Sequence, residues 1–416
     1  MRFSILLLPA LYSFGFYGFY LFLLVTHNIG LGSNSTIVTI PYRIVYIVIA
    51  AATIYIGVLN KRFKVPTLEL LLILLFWLLY LFTIAKDGFF QPIETGLPIQ
   101  THLMRSIGVT LIPMFAFFYR LDSKESFSCF IWLQLTLTLF AILFFLFTKD
   151  SLADGDYRAL RYDDSIETDS LISPIGASYT LAALYSISFC SLNIGKSKFM
   201  PTLLSIFSLT IALIGIAFLG TRGAAVACAF STIAITISKI ANKPNLFNIT
   251  LPIIALTAAI VAATWTPFLD TTIERAEILI NQLKKPNTDI GSGRGQLYID
   301  ALNQFSSAPI FGSHIEEQQS LHYPHNNLIE SFMTTGIIGG VSFSILFFAA
   351  FAKSLYLIGR QHPLSWVASL SIVSLTSTLF SGSINTPTLW FSIISILTIR
   401  LKKDRTKTNW EDQKQA

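Results

Sequence analysis

Long apolar runs alternate with short polar stretches along almost the whole chain. A helix needs about 20 apolar residues to cross a bilayer, with a range of roughly 17–25. Twelve runs meet this: about 4–26, 39–59, 66–85, 103–119, 126–148, 172–193, 201–219, 222–240, 246–266, 326–352, 363–381 and 385–401. The fourth contains Arg105. The seventh and eighth are joined only by Gly220-Thr221-Arg222-Gly223. The first run is too long for a cleaved leader and no A-x-A site follows it, so it reads as a span. The pattern predicts an all-α polytopic membrane protein with about twelve transmembrane helices. Nine lie in 1–266 and three in 326–401. Between them stands a large polar loop, 267–325, and a basic tail occupies 402–416.

Composition agrees. Of 416 residues, 53% are hydrophobic and 12% charged, and 35 are Phe. A soluble protein carries about a quarter charged residues, so an ordinary soluble enzyme is excluded. A disordered chain needs low hydrophobicity and high net charge, and is excluded too. Cys129, Cys190 and Cys228 all fall in apolar stretches, with no spacing that suggests a disulfide or a zinc site.

The net charge of +6 changes the picture only through its distribution. In a membrane protein it points to basic cytoplasmic loops rather than to a nucleic-acid partner. With the N-terminus in the cytoplasm, 18 of the 29 Lys and Arg fall in cytoplasmic segments and 9 in external ones. Arg43 and Arg105 sit within spans, near their outer ends. Both termini are then cytoplasmic. The external segments are short except for 149–171 and 267–325. A loop near 60 residues is too long to be a connector, so function is expected there.

Phe268, Leu269, Ile273, Ala276, Ile280 and Leu283 recur at helical spacing and predict an amphipathic helix over 268–284. Pro286 and Asn287 stop it. A second helical pattern follows Gly291-Ser292-Gly293-Arg294, with Ser292 as N-cap and Arg294 in the first turn. A helix N-terminus favours anions, and an arginine there adds a bidentate phosphate ligand. The alternative is a solvated arginine in a capped helix. The loop ends in His322-Tyr323-Pro324-His325-Asn326, where the tenth span begins. His325 thus lies at another helix mouth, which favours the neutral imidazole a general base requires. The alternative is an interfacial histidine without chemistry. His322 and His325 have no third ligand at a recognisable spacing, so no metal is expected. Arg222 sits in a tight outer turn whose glycines allow close backbone approach. It either points into a cavity or snorkels to headgroups. Arg222, Arg294 and His325 therefore share one face, each at a predicted helix N-terminus, and a diphosphate beside a base would fit there.

Weaker signals surround them. Asp154-Gly155-Asp156 is a DxD string in a loop rich in acids and reads as solvated. Arg158 and Arg161, in the same loop, either touch an anionic lipid or glycan or pair with the neighbouring acids. Gly336, Gly339 and Gly340 are expected to allow close packing of helices. No nucleotide-binding motif or internal repeat stands out.

The Gly-Thr-Arg-Gly turn, the Gly-Arg-Gly-Gln-Leu-Tyr segment and the string from His325 through Asn326, Glu330 and Gly336 to Gly339 resemble the O-antigen ligase family of bacterial inner-membrane proteins. That superfamily also holds O-antigen polymerases. The likeness covers the whole chain in outline and is specific from about Gly220 to Gly339. It implies a fold of the C-type membrane glycosyltransferase class, without metal or other cofactor. It implies transfer of a glycan from undecaprenyl diphosphate, at the periplasmic face of the inner membrane, to lipid A core or to another lipid-linked glycan. Matched residue by residue, it gives Arg222 and Arg294 the donor diphosphate and His325 the catalytic base. Asn326, Glu330 and His322 are supporting positions. The DxD string is not part of the family pattern.

On this reading two guanidiniums stabilise the leaving diphosphate. The imidazole takes the acceptor hydroxyl proton, and attack from the far side inverts the anomeric carbon. Ligase is favoured over polymerase. A lipid-linked sugar transporter is the alternative of another class, disfavoured because ionisable residues are scarce at the span centres and gather on one face.

Overall fold

The computed structural model describes residues 4–28, 35–63, 66–153, 174–192, 199–219, 221–240 and 294–400. Among these the chain is helical, with no strand and only two isolated bridges. In chain order the α-helices are α1 Ser4–Ser13, α2 Phe19–Asn28, α3 Ser35–Leu59, α4 Thr67–Ala85, α5 Ile99–Leu103, α6 Ile112–Met114 and α7 Ser123–Ala153. They continue with α8 Pro174–Ser191, α9 Phe199–Leu219, α10 Arg222–Ile240, α11 Arg294–Ser307, α12 Asn327–Gly359, α13 Ser365–Ser381 and α14 Pro387–Thr398.

Eleven of the twelve expected spans correspond to helices. Six are long and apolar enough to cross a membrane, and five more are shorter apolar helices over their described residues. The ninth expected span, 246–266, lies outside the described residues, as do the predicted helix 268–284 and the tail 402–416.

α4 shows why a bilayer must surround the bundle. Leu71, Leu74 and Leu78 are exposed at helical spacing, with Phe82 one turn on. Ile73, Phe76, Trp77, Tyr80 and Ile84 are buried on its other side. Apolar surface of this extent on every outer helix is untenable in water. α13 is the opposite case, and residues 365–378 are buried throughout. It packs against α8, α10, α12 and α14. Its hydroxyls are satisfied locally: Ser371, Thr376 and Ser377 donate to the carbonyls of Val367, Ile372 and Ser374 at 2.8, 2.7 and 2.9 Å. A serine-rich helix can therefore sit at the centre of the bundle without orphaned donors.

Two spans are broken. Between α1 and α2 the backbone leaves the helix at Phe16 and Tyr17, the latter with φ +67°. α12 is interrupted at Gly336, with φ +64° and ψ −163°. The segment 308–313 fills the second gap. Ile337 N–H donates to the Pro309 carbonyl at 2.7 Å, Ser313 N–H to that of Met333 at 3.0 Å, and Thr83 Oγ1 to that of Thr334 at 2.8 Å. Groups freed by the break thus find protein partners, the condition for irregular backbone at membrane depth. The expectation of close helix–helix packing at these glycines is corrected. Gly336 supplies a left-handed bend where a Cβ would strike the Ile310 carbonyl, and Gly339 and Gly340 make room for Thr335 and Phe332 of their own helix.

Candidate active site

The loop that delivers His325 is clamped to the membrane helices by buried acids. Asp87, wholly buried beyond α4, accepts the Ile315 amide at 2.8 Å and lies 3.0 Å from His314 Nδ1. Lys86 stands 3.6 Å from the same carboxylate and donates to the Ser313 carbonyl. Buried Glu316 accepts the Gly96 amide at 2.6 Å and faces His102 Nε2 at 3.1 Å. Glu317 closes the next turn by accepting the Gln319 and Ser320 amides at 2.8 and 2.7 Å. Burial alone would raise its pKa, but the Gln319 and Ser320 hydrogen bonds outweigh it and hold the carboxyl below its usual range. His322 is exposed here. Its carbonyl accepts the Glu317 amide at 2.9 Å, and it does not reach the cavity described below.

The chain then turns into α12. Asn326 is the N-cap, its Oδ1 accepting Leu328 and Ile329 N–H at 3.1 and 3.2 Å. His325 precedes it with φ +54°. A non-glycine residue in this region is strained by about 1–3 kcal/mol and persists only where its surroundings impose it. Tyr323 lies against the imidazole, ring centroids 4.5 Å apart at 60°.

His325 lines a cavity of about 460 Å³, a size suited to part of a small-molecule ligand. Its neighbours come from five regions of the chain. The first broken span contributes Phe14, Gly15 and Tyr17, and α3 contributes Tyr42, Arg43 and Tyr46. Arg105 and Gly108 enter from the helical rod 99–118, and Tyr179 from α8. The turn between α13 and α14 adds Ser381, Gly382, Ser383, Asn385 and Thr386. Two residues of strained backbone, Tyr17 and His325, therefore meet at one place. Arg43 and Arg105 thus bring two positive charges to one cavity. No Asp or Glu lines the cavity among the described residues. Two cations without a lining acid, Arg43 half-buried and Arg105 exposed at the cavity mouth, form a receptor for an anion. The hydroxyls, amides and tyrosine rings around them match the mixture of polar groups and C–H faces on a sugar.

The α13–α14 turn is held rigidly. Glu330, wholly buried in the first turn of α12, accepts the Ile384 amide at 3.0 Å. Asn326 Nδ2 donates to the Leu379 carbonyl at 3.2 Å. With its amide oriented to donate, Asn327 reaches the carbonyls of Gly382 and Thr378 at 3.1 and 3.2 Å. Asn385 accepts from Ser106 Oγ at 2.8 Å and donates to the Tyr80 hydroxyl at 2.9 Å. The string that starts at His325 thus builds one wall of the cavity from several sides.

Of the other expected residues, Arg222 and Arg294 are the first residues of α10 and α11. Their side chains lie outside the described residues. Gly223 presses against the Tyr179 hydroxyl, which brings the start of α10 beside the cavity wall. No described contact brings Arg294 to His325. Arg158 and Arg161 lie outside the described residues, as does Asp154-Gly155-Asp156. Sequence reasoning missed Arg43, Arg105, Asn327 and Asn385. The signal for the first two was available, since arginines inside apolar spans usually face a cavity. Among the described residues no cluster of His, Cys, Asp and Glu is arranged to hold a metal.

Fold and site define a helical integral membrane protein with a cationic, hydroxyl-rich cavity beside one histidine. Residues 207–344 match the family model described as O-Antigen ligase. The resemblance is therefore shown over a segment that contains Arg222, Arg294, His325, Glu330 and Gly336. No curated protein and no solved structure matches the chain.

Proposed function

We propose that this protein is an O-antigen ligase, which moves a glycan from undecaprenyl diphosphate to the lipid A core at the periplasmic face of the inner membrane. The observation that carries this reading is that His325, inside the segment matched to O-antigen ligase, opens into the same cavity as Arg43 and Arg105.

The reaction needs no redox partner. An acceptor hydroxyl attacks the anomeric carbon and the new C–O bond forms there. The bond to the lipid diphosphate breaks, and its electron pair leaves with the diphosphate. The hydroxyl proton passes to the His325 imidazole. Arg43 and Arg105, joined by Arg222 and Arg294, bind the diphosphate more tightly as its charge grows. Asn326 and Glu330 are positioning residues, acting through the α12 start and the wall of the α13–α14 turn.

The test is a lipopolysaccharide gel and a lipid-linked glycan profile of a deletion strain, complemented with wild type or His325→Ala. Core lacking all O-chains, with long chains kept on undecaprenyl diphosphate, is the expected result. Core capped by a single repeat would replace ligase with polymerase. An unchanged ladder would overturn both and favour transport or a different glycan.

A further inference from the structure

A second cavity, of about 890 Å³, lies at the other end of α12. The helix runs 33 residues from Asn327, next to His325, to Gly359, next to Arg360. Past the break at Gly336 its remaining 23 residues, at about 1.5 Å each, still span the hydrocarbon. The rim of the second cavity carries Lys61, Arg62, Arg120, Arg360 and Arg400, drawn from four separate stretches of chain. Two of those stretches are stitched together. Arg120 N–H donates to the Arg62 carbonyl at 3.1 Å, and Phe63 bridges Tyr119. Lys61 is held with φ +52° in the tight turn after α3.

The acids present are already engaged. Asp122 caps α7, accepting the Lys124 and Glu125 amides at 3.0 and 2.8 Å, and Glu125 accepts the Asp122 amide in return at 2.9 Å. Both carboxylates then pair with Arg62, at 3.3 and 3.6 Å. Among the described residues no ion pair involves Lys61, Arg120 or Arg400. Below this rim the lining changes character. Tyr12, Leu364 and Val367 are buried there, with the hydroxyls of Ser395 and Thr398 between them. Basic loops alone would satisfy the charge bias of membrane proteins. A half-open volume whose exposed lining is cationic and whose buried lining is mostly apolar does more, because it fits both ends of an amphipathic anion.

We propose that this cavity binds a phosphate carried on a lipid: the headgroup of an anionic phospholipid sits among Lys61, Arg120 and Arg400, and the adjoining glycerol and acyl carbons lie on the apolar floor. The site is independent of the chemistry at His325 and stands or falls separately from it.

Native mass spectrometry and thermal shift of the full-length protein in detergent test this, with phosphatidylglycerol, phosphatidylcholine and soluble glycerol phosphate as probes. Wild type should bind phosphatidylglycerol and gain thermal stability, and phosphatidylcholine should do neither. Combined Lys61→Gln, Arg120→Gln and Arg400→Gln should weaken phosphatidylglycerol binding by about tenfold or more, whereas Lys124→Gln, exposed and outside the cavity, should not. If the triple variant elutes as aggregate, Arg120→Gln alone carries the test with a smaller loss in the same direction. Glycerol phosphate binding as tightly as the lipid, and lost in the same variant, would keep the phosphate site and overturn its lipid source. Equal binding of phosphatidylglycerol to wild type and variant, or of phosphatidylcholine and phosphatidylglycerol to wild type, would overturn the proposal.

Discussion

The cavities at the two ends of α12 are both cationic, yet they are built on opposite principles. At the Arg360 end the charges are many, mostly exposed, and partly neutralised by Asp122 and Glu125. At the His325 end Arg43 is half-buried and Arg105 exposed, no acid lines the cavity among the described residues, and one wall is fixed by neutral hydrogen bonds from Asn326, Asn327 and Asn385. Solvated charges, only Arg62 of them paired with an acid among the described residues, attract an anion already formed. Fixed dipoles and uncompensated cations in a rigid wall favour charge that is still developing, since nothing need reorganise as it appears. The first suits binding and the second suits catalysis.

The largest effect that would break this distinction is at His325. His325→Ala should lower the glycan transfer rate by about 10²–10⁴ with normal membrane levels, measured on purified protein with lipid-linked donor. Transfer at the wild-type rate would reduce the two cavities to two binding sites. Arg43→Gln or Arg105→Gln should each cost about 10²–10³ in rate, the typical loss of one charge-stabilising donor. Lysine at either position should rescue poorly because a point charge does not replace a planar fork. If either glutamine variant changed only KM, that arginine would belong with binding rather than with the transition state.

Glu330 sharpens the comparison through the rigid wall. Glu330→Ala leaves the Ile384 amide without its partner and should cost about 1–3 kcal/mol of stability, together with a fall in kcat. Glu330→Gln retains an acceptor and should restore most of both. Equal damage from the two would assign Glu330 a role that requires its acidity. The smallest effect is at the other end. Asp122→Ala removes the α7 cap and should cost about 1 kcal/mol. Chiefly because it accepts the Glu125 amide, and also because Arg62 is near, Asp122 has a pKa below the usual aspartate value. Its contribution is complete above that usual value, about 3.9, and is lost as pH falls through the lowered one. Acid titration of thermal stability should therefore lose this contribution in the variant.

Much of the fold was legible because crossing a bilayer is a local demand. Length and apolarity locate a span wherever its neighbours lie, and Asn326 signalled the start of α12 by its own side chain. The breaks at Tyr17 and Gly336 were not legible. Each depends on partners distant in sequence or backbone that fills the gap, as the 308–313 segment does. For the same reason Arg43 and Arg105 looked like two unrelated charges at span ends, 62 positions apart in the chain. His325 was found from its chemistry and its place before a helix, both of which are local. Glu330 was found through the family pattern, and its task became apparent only once Ile384 was seen against it.

The interruption at Gly336 also bears on how the chain enters the membrane. The stretch 337–359, roughly 23 residues, is about 34 Å long as helix and spans the hydrocarbon by itself. The translocation machinery can therefore release it into lipid as a finished segment. The two and a half turns that bear Glu330 need not partition with it. That piece can fold back afterwards from the aqueous side, bringing its acid and its asparagines into the bundle already paired. A polar wall is assembled in this way without any step in which Glu330 crosses oil alone.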